Sequence, residues 1–292
     1  MIATVALDVG AYHAEGCVWD PVRQRLLFVD LYAGRVFDHD PESGAVVVHE
    51  LGGQATDVHP TTRPDRLLVA VRDGIALFDD AGAATSLARP LHGRPGLRMN
   101  DGHVAPDGRY FAGTMADDVT PGVGELFCLD PGTGELSVVL GGVTISNGID
   151  WSPDGAIVYY VDSPTGRIDV FDYDAGTPAG LTDRRPFARI DPDLGMPDGL
   201  TVDAEGGVWV AVFGGGQVQR FTPSGERDAV MHTPGASLVT ACCFGGRDLD
   251  ELFIATSQEN LGADDLAAQP EAGRIFAATP GVTGKPATPF PC

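Results

Sequence analysis

The sequence predicts an all-β protein, a six-bladed β-propeller of four-stranded antiparallel blades in which residues 1–292 form a single domain. Three observations predict this architecture. The 39 Gly and 22 Pro residues interrupt almost every window long enough for a helical stripe. Short runs of Val, Ile, Leu, Phe and Tyr recur and end at Gly, Asp or Pro, as strands do. These runs also repeat along the chain at a spacing of ~40–50 residues, which is typical of propellers.

The repeated unit is clearest in residues 15–41 and 147–172. Each begins with an acid or an amide followed by Gly, continues through an apolar strand that ends in Asp, and resumes at a Gly-Arg pair before a third strand. With two degenerate copies, six units begin near residues 15, 54, 100, 147, 198 and 239. One blade cannot bury both faces of its sheet, so we expect the units to stack around an axis. Residues before about 14 should complete the ring by adding a strand to the last blade, and residues 263–269 are the best helix candidate.

The charge and the cysteine content limit which partners and which cellular compartment are expected. The chain has 41 acidic and 19 basic residues, a formal net charge of −22 at pH 7. Such a charge repels phosphate backbones and anionic membrane surfaces, so small molecules and cations remain as partners. We find neither a signal-like segment nor a long apolar span, and we expect a cytoplasmic monomer or weak homo-oligomer. The five cysteines lack metal-ligand spacing and should mostly be small buried side chains.

The first residues of the units form the candidate site. The innermost strand of each blade runs beside the central channel, so equivalent positions meet around the axis. Those positions hold Glu15, Gln54, Asn100 or Asp101, Asn147, Asp198 and Val239. With the two degenerate units set aside, four units send an acid or amide oxygen to one mouth, and an all-oxygen set favours Ca²⁺, Mg²⁺ or Mn²⁺ over a tetrahedral zinc site. The alternative is that Asn-Gly and Asp-Gly are only turn pairs, which would not explain why they share one register.

Several segments resemble a known family, the regucalcin/gluconolactonase/luciferin-regenerating group of six-bladed propellers. The similarity covers nearly the whole chain and is densest in residues 14–19, 98–102, 108–115, 145–151 and 195–199. Several long segments that match in order make the resemblance specific.

The resemblance implies roles for individual residues. Glu15, Asn147 and Asp198 would bind one divalent cation, with calcium as the first expectation and zinc, manganese, magnesium or iron as alternatives. Substrate-binding residues would be Arg98, Asn100 and Asp118, with Asp117 beside the last of these. This assignment selects Asn100 at the ambiguous position of the third unit.

The resemblance also implies an activity, the metal-dependent hydrolysis of sugar lactones. The cation would polarise the lactone carbonyl, and either Asp198 or a hydroxide bound to the cation would activate water. Two alternatives stay open. The same metal site could serve a phosphotriesterase or an apolar-lactone hydrolase, whose cavity should be lined mainly by apolar and aromatic side chains. The chain could also be a non-enzymatic Ca²⁺-binding propeller.

Other conspicuous side chains are predicted to be structural. His103 could shuttle protons in the channel, but we expect a partly buried strand residue. Trp19, Trp151 and Trp209 fall at similar depths in three units, which favours packing between sheets over sugar stacking. There is no Gly-x-Ser-x-Gly sequence, which argues against a serine hydrolase.

Overall fold

Six four-stranded antiparallel sheets surround one axis in the computed structural model, which describes residues 1–177 and 180–292. The strands in chain order are β1 (Thr4–Leu7), β2 (Ala14–Asp20), β3 (Arg25–Asp30), β4 (Arg35–His39), β5 (Val46–Glu50), β6 (Ala55–Pro60), β7 (Arg66–Val71), β8 (Gly74–Asp79), β9 (Ala84–Ala88), β10 (Leu97–Val104), β11 (Tyr110–Ala116), β12 (Gly124–Leu129), β13 (Leu136–Val143), β14 (Ser146–Trp151), β15 (Ile157–Asp162), β16 (Arg167–Tyr173), β17 (Leu181–Arg189), β18 (Met196–Val202), β19 (Val208–Phe213), β20 (Gln217–Phe221), β21 (Arg227–His232), β22 (Val239–Gly245), β23 (Glu251–Thr256) and β24 (Ile275–Ala278). A 3₁₀ turn at Ser163–Thr165 and one short helix, α1 (Ala263–Ala268), complete the regular structure of these residues.

Each sheet is one blade of a six-bladed β-propeller. Blade 1 contains β2–β5, blade 2 β6–β9, blade 3 β10–β13, blade 4 β14–β17 and blade 5 β18–β21. Blade 6 has the order β22-β23-β24-β1, so its outermost strand comes from the other end of the chain. In that pairing Thr4 lies opposite Ala277 and Val5 opposite Phe276. The predicted closure of the ring by the N-terminal strand is confirmed.

The first strands of the blades form a closed inner ring. β2 contacts β6 and β22, β10 contacts β6 and β14, and β18 contacts β14 and β22. Outside this ring, apolar side chains fill the wedges between neighbouring sheets. Trp19 of blade 1 stacks on Phe253 of blade 6 with ring centroids 6.0 Å apart, and Trp209 of blade 5 packs edge-on against Phe244 of blade 6 at 5.8 Å. The tryptophans therefore pack between sheets, as predicted.

The ends of the first strands face the opposite mouth of the channel, and residues 279–292 cross it. We call this segment the C-terminal strap. Near blade 5, Ala204 N donates to Thr283 O at 2.8 Å. Near blade 2, Phe290 N donates to Pro60 O at 2.9 Å. The strap thereby ties blades on both sides of the axis together.

One side chain of the strap enters the channel. Lys285 Nζ donates to Asp150 Oδ1 at 2.5 Å, and His103 Nε2 lies 3.5 Å from the same oxygen. Asp150 is fully buried and also accepts a hydrogen bond from Val202 N at 2.7 Å. His103 is thus the partly buried strand residue that the sequence predicted, and it lies inside the channel.

Two further observations concern the described residues. The five cysteines are all unpaired, and Cys128, Cys242 and Cys243 are buried, in line with their predicted role as small core side chains. No helix in the described ranges has the length and apolar character that a membrane crossing requires.

Candidate active site at one mouth of the channel

Residues from four separate blades meet at the mouth where the first strands begin. Glu15 of β2, Asn100 of β10, Asn147 of β14 and Asp198 of β18 line one cavity of about 350 Å³. Arg98, two residues before Asn100, lines it as well. All five side chains are buried against the protein. The repeat register thus brings these residues into one place.

A β-bulge interrupts every first strand at this level. The pairing of β2 with β3 shifts register between Glu15 and Val18, and the pairings of β14 with β15 and of β18 with β19 shift at the equivalent positions. The first strands of the other three blades carry the same irregularity. Because a bulge sets two residues against one and bends the strand, it breaks the regular alternation of side chains. Asn147 and Asp198 lie in these bulges and Glu15 lies directly beside one, next to the axis.

The glycines that follow Asn147 and Asp198 have a packing role. A Cβ on Gly148 would lie 2.6 Å from Leu200 N and 2.7 Å from Asp198 O of the next blade. A Cβ on Gly199 would lie 2.8 Å from Thr240 O, again across the blade boundary. Both residues lie inside strands and neither has a positive φ. These Asn-Gly and Asp-Gly pairs are therefore not turns; their glycines let neighbouring first strands approach closely.

The two carboxylates of the mouth lie in an environment that opposes their charge. Burial first, and then the nearby Asp101, raises the pKa of Glu15 to about 8. Burial and then Glu15 raise the pKa of Asp198 well above its usual value. Glu15 Oε2 accepts one hydrogen bond, from Gly16 N at 3.0 Å. Asp198 Oδ1 is buried without any hydrogen-bond partner among the described residues. A bound cation would compensate both charges and this orphaned oxygen.

Asn147 presents its amide oxygen to the same space in a fixed orientation. Asn100 Nδ2 donates to Asn147 Oδ1 at 2.6 Å, and Asn147 Nδ2 donates to Ser163 Oγ at 2.8 Å. An amide oxygen has a second lone pair, which stays open for a cation. Across the described ranges no group of three or more His, Cys, Asp and Glu side chains is placed to hold a metal. The donor set that fits a hard cation here is two carboxylates and one amide.

Arg98 is a buried cation of the cavity. Its Nη1 donates to Met99 O at 3.0 Å and to Asn100 Oδ1. In residues 1–177 and 180–292 its guanidinium has no carboxylate within ion-pair distance, unlike most arginines of the chain. The remaining N–H groups can donate to oxygen atoms of a ligand.

Asp118 lies away from this cavity. Its Oδ1 accepts hydrogen bonds from Thr120 N at 3.0 Å and from Thr120 Oγ1 at 2.7 Å, so it stabilises an exposed turn. Its neighbour Asp117 lines the cavity instead and forms an ion pair with Arg72 at 2.5 Å. The structure therefore places Asp117, and not Asp118, beside the other candidate residues.

The cavity also has polar residues that sequence reasoning left out. Tyr32 donates its hydroxyl to Glu259 Oε1, and both line the cavity. His13 lines it too, with Nδ1 2.8 Å from Ser257 Oγ. Burial, and then the charge of Arg98, lowers the pKa of His13 to about 3, so its imidazole is neutral at physiological pH.

A sequence signal for these residues exists in the repeat. The second strand of a blade is antiparallel to the first, so it ends at the mouth where the first strand begins. Residues at or just after that end line the cavity in five blades: Tyr32, Asp117, Ser163, Phe213 and Glu259. These residues could have been found by comparing, from blade to blade, the residues that follow the apolar run of the second strand.

Comparisons with known proteins agree with this fold. Residues 13–258 match a family model described as the SMP-30/Gluconolactonase/LRE-like region. Regucalcin of Gallus gallus is 35% identical over 285 residues, which cover 94% of this chain and 94% of the relative. A solved structure of a calcium-binding protein, regucalcin, from Agrobacterium tumefaciens superposes with a TM-score of 0.93 at 27% identity, covering 99% of this chain and 98% of the other. A luciferin-regenerating enzyme superposes with a TM-score of 0.91 at 27% identity, covering 99% and 100%.

Proposed function

The chain belongs to the SMP-30/Gluconolactonase/LRE-like family, and we propose that it is a divalent-metal-dependent hydrolase that opens the ring of a sugar lactone. The observation that carries this proposal is the unpartnered Asp198 Oδ1, which lies in one cavity with Glu15, Asn147 and the free N–H groups of Arg98. Metal ligands and hydrogen-bond donors for a polar substrate thus share one space.

Glu15, Asn147 and Asp198 would hold the cation. Their oxygen donors suit Ca²⁺ first, and a structurally similar protein is described as calcium-binding. When bound, the cation supplies Lewis-acid polarisation of the lactone carbonyl. Three protein donors leave coordination positions for oxygen atoms from outside the chain.

Asp198 would act as the general base. Its Oδ1 is fully buried and accepts no hydrogen bond from the described residues, so one carboxylate oxygen can hold the cation while the other receives the proton of an attacking water. Glu15 is bound by Gly16 N and Asn147 is held by two hydrogen bonds, so both are better suited to fixed positions.

Arg98 and Asn100 would orient the lactone. Arg98 can donate to a ring or hydroxyl oxygen, and Asn100 holds both Arg98 and Asn147 in place. Asp117 is the acid near the rim that could accept a hydrogen bond from a substrate hydroxyl, a role that the sequence had assigned to Asp118.

A panel of aldonolactones tests the proposal. The enzyme is stripped with a chelator and assayed alone and after addition of Ca²⁺, Mg²⁺, Mn²⁺ or Zn²⁺. We expect hydrolysis to disappear on chelation and to return with one of the cations. Asp198→Asn should lower kcat by at least ~100-fold, as expected for loss of a general base. Asp248→Asn, a matched change at an exposed carboxylate, should have no effect.

Two outcomes would contradict the proposal. Unchanged hydrolysis in chelator would exclude a role for the cation in catalysis. Binding of Ca²⁺ without turnover of any lactone would favour a non-enzymatic calcium-binding protein, as the description of the Agrobacterium relative would suggest.

A further inference from the structure

The cavity at the channel mouth has two chemically different sides. Five apolar residues of blades 3, 4 and 5 line one side, which we call the apolar arc: Met115, Val119, Ile145, Met196 and Phe213. Asp117 and Ser163 are the polar residues that line the cavity from the loops after the second strands of the same blades. Blades 6 and 1 supply the opposite side, which we call the polar arc: His13, Tyr32, Glu259 and Asn260. The catalytic candidates lie between the two arcs, below the rim. A ligand with its carbonyl at the cation site of Glu15, Asn147 and Asp198 would therefore meet hydrogen-bonding groups on one edge and mainly hydrocarbon on the other.

Val119 of the apolar arc is held in a costly conformation. Its φ is +58°, in the left-handed region that β-branched residues avoid. Thr120 binds Asp118 on one side, and Val119 N donates to Ala116 O at 3.0 Å, so the loop is well fixed. The valine is nonetheless 43% exposed. Packing within the protein does not repay this strain, and strained residues concentrate at ligand sites.

Met196 is a second exposed apolar residue, on the neighbouring part of the rim. It is 40% exposed although it belongs to strand β18. Val119 and Met196 thus offer apolar surface to the cavity that nothing in the described chain covers. A ligand seated above Asp198 would cover it.

From this arrangement we propose that the substrate is an amphipathic lactone, hydroxylated along one edge and carrying hydrogen or alkyl in place of hydroxyl along the other. A deoxy-sugar lactone belongs to this class, whereas an aldonolactone with hydroxyls on every carbon does not. The inference rests on the proposed lactonase function and specifies its substrate.

The preference follows from the cost of an unpaired hydroxyl. A hydroxyl against the apolar arc loses its hydrogen bonds to water and gains none from Val119 or Met196. An apolar pocket discriminates against such an added hydroxyl by ~10- to 100-fold in kcat/KM. On the polar arc the opposite holds, because Tyr32, Glu259 and Asn260 carry oxygen and N–H groups that can pair with a substrate hydroxyl, and a substrate that lacks the hydroxyl gains no such bond.

A paired series of lactones tests the proposal. Each aldonolactone is assayed beside analogues in which one hydroxyl at a time is replaced by hydrogen. We expect at least one analogue to exceed its parent by ~10-fold or more in kcat/KM. Val119→Asn should reduce that advantage by ~10-fold, and it should fold normally because Asn tolerates positive φ. Val22→Asn, at a residue that is 78% exposed and distant from the cavity, should leave the selectivity unchanged.

A binding measurement separates this inference from the proposed function. Calorimetry compares 1,5-anhydroalditols, which are ring ethers that cannot be hydrolysed, with their deoxy analogues. We expect tighter binding of one deoxy ring to the wild type and a smaller difference in Val119→Asn. Hydrolysis of parent lactones at rates equal to or above those of all analogues would overturn the inference and leave the lactonase standing. If no lactone is hydrolysed but a deoxy ring binds selectively, the proposed activity is overturned and the preference for an amphipathic ring stands. If there is neither hydrolysis nor selective binding, the proposed activity and the substrate preference are both overturned.

Discussion

Glu15 and Asp198 lie in a place where burial and nearby carboxylates disfavour their negative charge. The pKa of Asp198 is raised by burial and then by Glu15, and Asp101 acts on both residues in the same direction. Without a cation this cluster costs stability, and with a cation it becomes a binding site. Metal affinity and stability of the folded protein are therefore linked at these side chains.

Glu15→Gln should separate the two effects. It removes a carboxyl group whose charged form is disfavoured by burial and by Asp101, so near pH 7 in the presence of a chelator the variant should unfold at a higher temperature than the wild type. Calcium at ~100 times its Kd should stabilise the wild type by about 2.7 kcal/mol, which is roughly 5 °C or more in a chain of this size. The same calcium should leave the melting temperature of the variant almost unchanged.

Thermal melts with and without calcium provide the measurement. Glu50→Gln, a matched change at a side chain that is 62% exposed, should behave like the wild type. If calcium stabilised Glu15→Gln as much as the wild type, Glu15 could not be a ligand.

Individual site residues differed in how far the sequence could predict their positions. Glu15, Asn147 and Asp198 begin three well-formed repeats, so the symmetry of the propeller predicts that they converge. Tyr32 and Glu259 instead follow second strands, in loops whose lengths and sequences differ between blades. Their place just after those strands marks them as candidates for the mouth, but their distance from Asp198 and their pairing with each other depend on contacts that form only in the folded ring.

At the level of the strand, the bulge and its glycine determine how closely the blades approach at the axis. Gly148 and Gly199 sit where the first strand of one blade touches the first strand of the next. The sequence predicted the strands but not the bulges. Residue types that form a bulge also form turns, so their presence does not identify a bulge. The structural context decides between a turn and a close contact.

Gly148→Ala should therefore destabilise the protein. The added methyl group would lie 2.6 Å from Leu200 N, so the two strands would have to move apart. We expect a loss of about 1–3 kcal/mol in the free energy of unfolding, as for other overpacked sites. Urea denaturation would measure it. Gly141→Ala, in a strand where a Cβ meets no atom within 4 Å, is the control and should change stability by less than ~0.5 kcal/mol. Equal stability of the two variants would rule out this packing role.

Across the whole molecule, the ring is closed twice. Strand β1 completes blade 6 at the rim, and the C-terminal strap crosses the far mouth near the axis. The first closure was predicted, because the residues before about 14 precede the first unit and could add a strand to the last blade. The second was not, because residues 279–292 contain no repeat and their path is set by contacts with blades 2 and 5.

Lys285→Met should show how much the strap contributes. Burial alone would raise the pKa of Asp150, but Lys285 and then His103 lower it below its usual value. Removing the lysine leaves a buried carboxylate without its main partner, which should cost about 3 kcal/mol at pH 7. Arg63→Met breaks an exposed pair with Asp65 and should cost less than ~1 kcal/mol.

The pH dependence of this difference follows from the direction of the shift. A lowered pKa in the folded state means that charged Asp150 stabilises the protein above its unfolded pKa of ~3.9, and that this contribution is lost as the pH falls through the folded value. The gap between wild type and Lys285→Met should therefore shrink as the pH falls to ~4 and below. Denaturant titrations at several pH values would detect this, and a gap that widened in acid would contradict the assignment.

Lys285 is also the only lysine in the chain. Apart from the terminal amine of Met1, its Nζ is the single primary amine that an acylating dye can modify. Asp150 binds that amine inside the channel, beneath the strap. Labelling of the native protein should therefore stop near one dye per molecule, at the terminal amine. A second dye should react with Lys285 only when the strap moves away from the channel. Intact-mass spectrometry would then measure the fraction of molecules that carry a second dye, and so the fraction in which the strap has opened, without an engineered label.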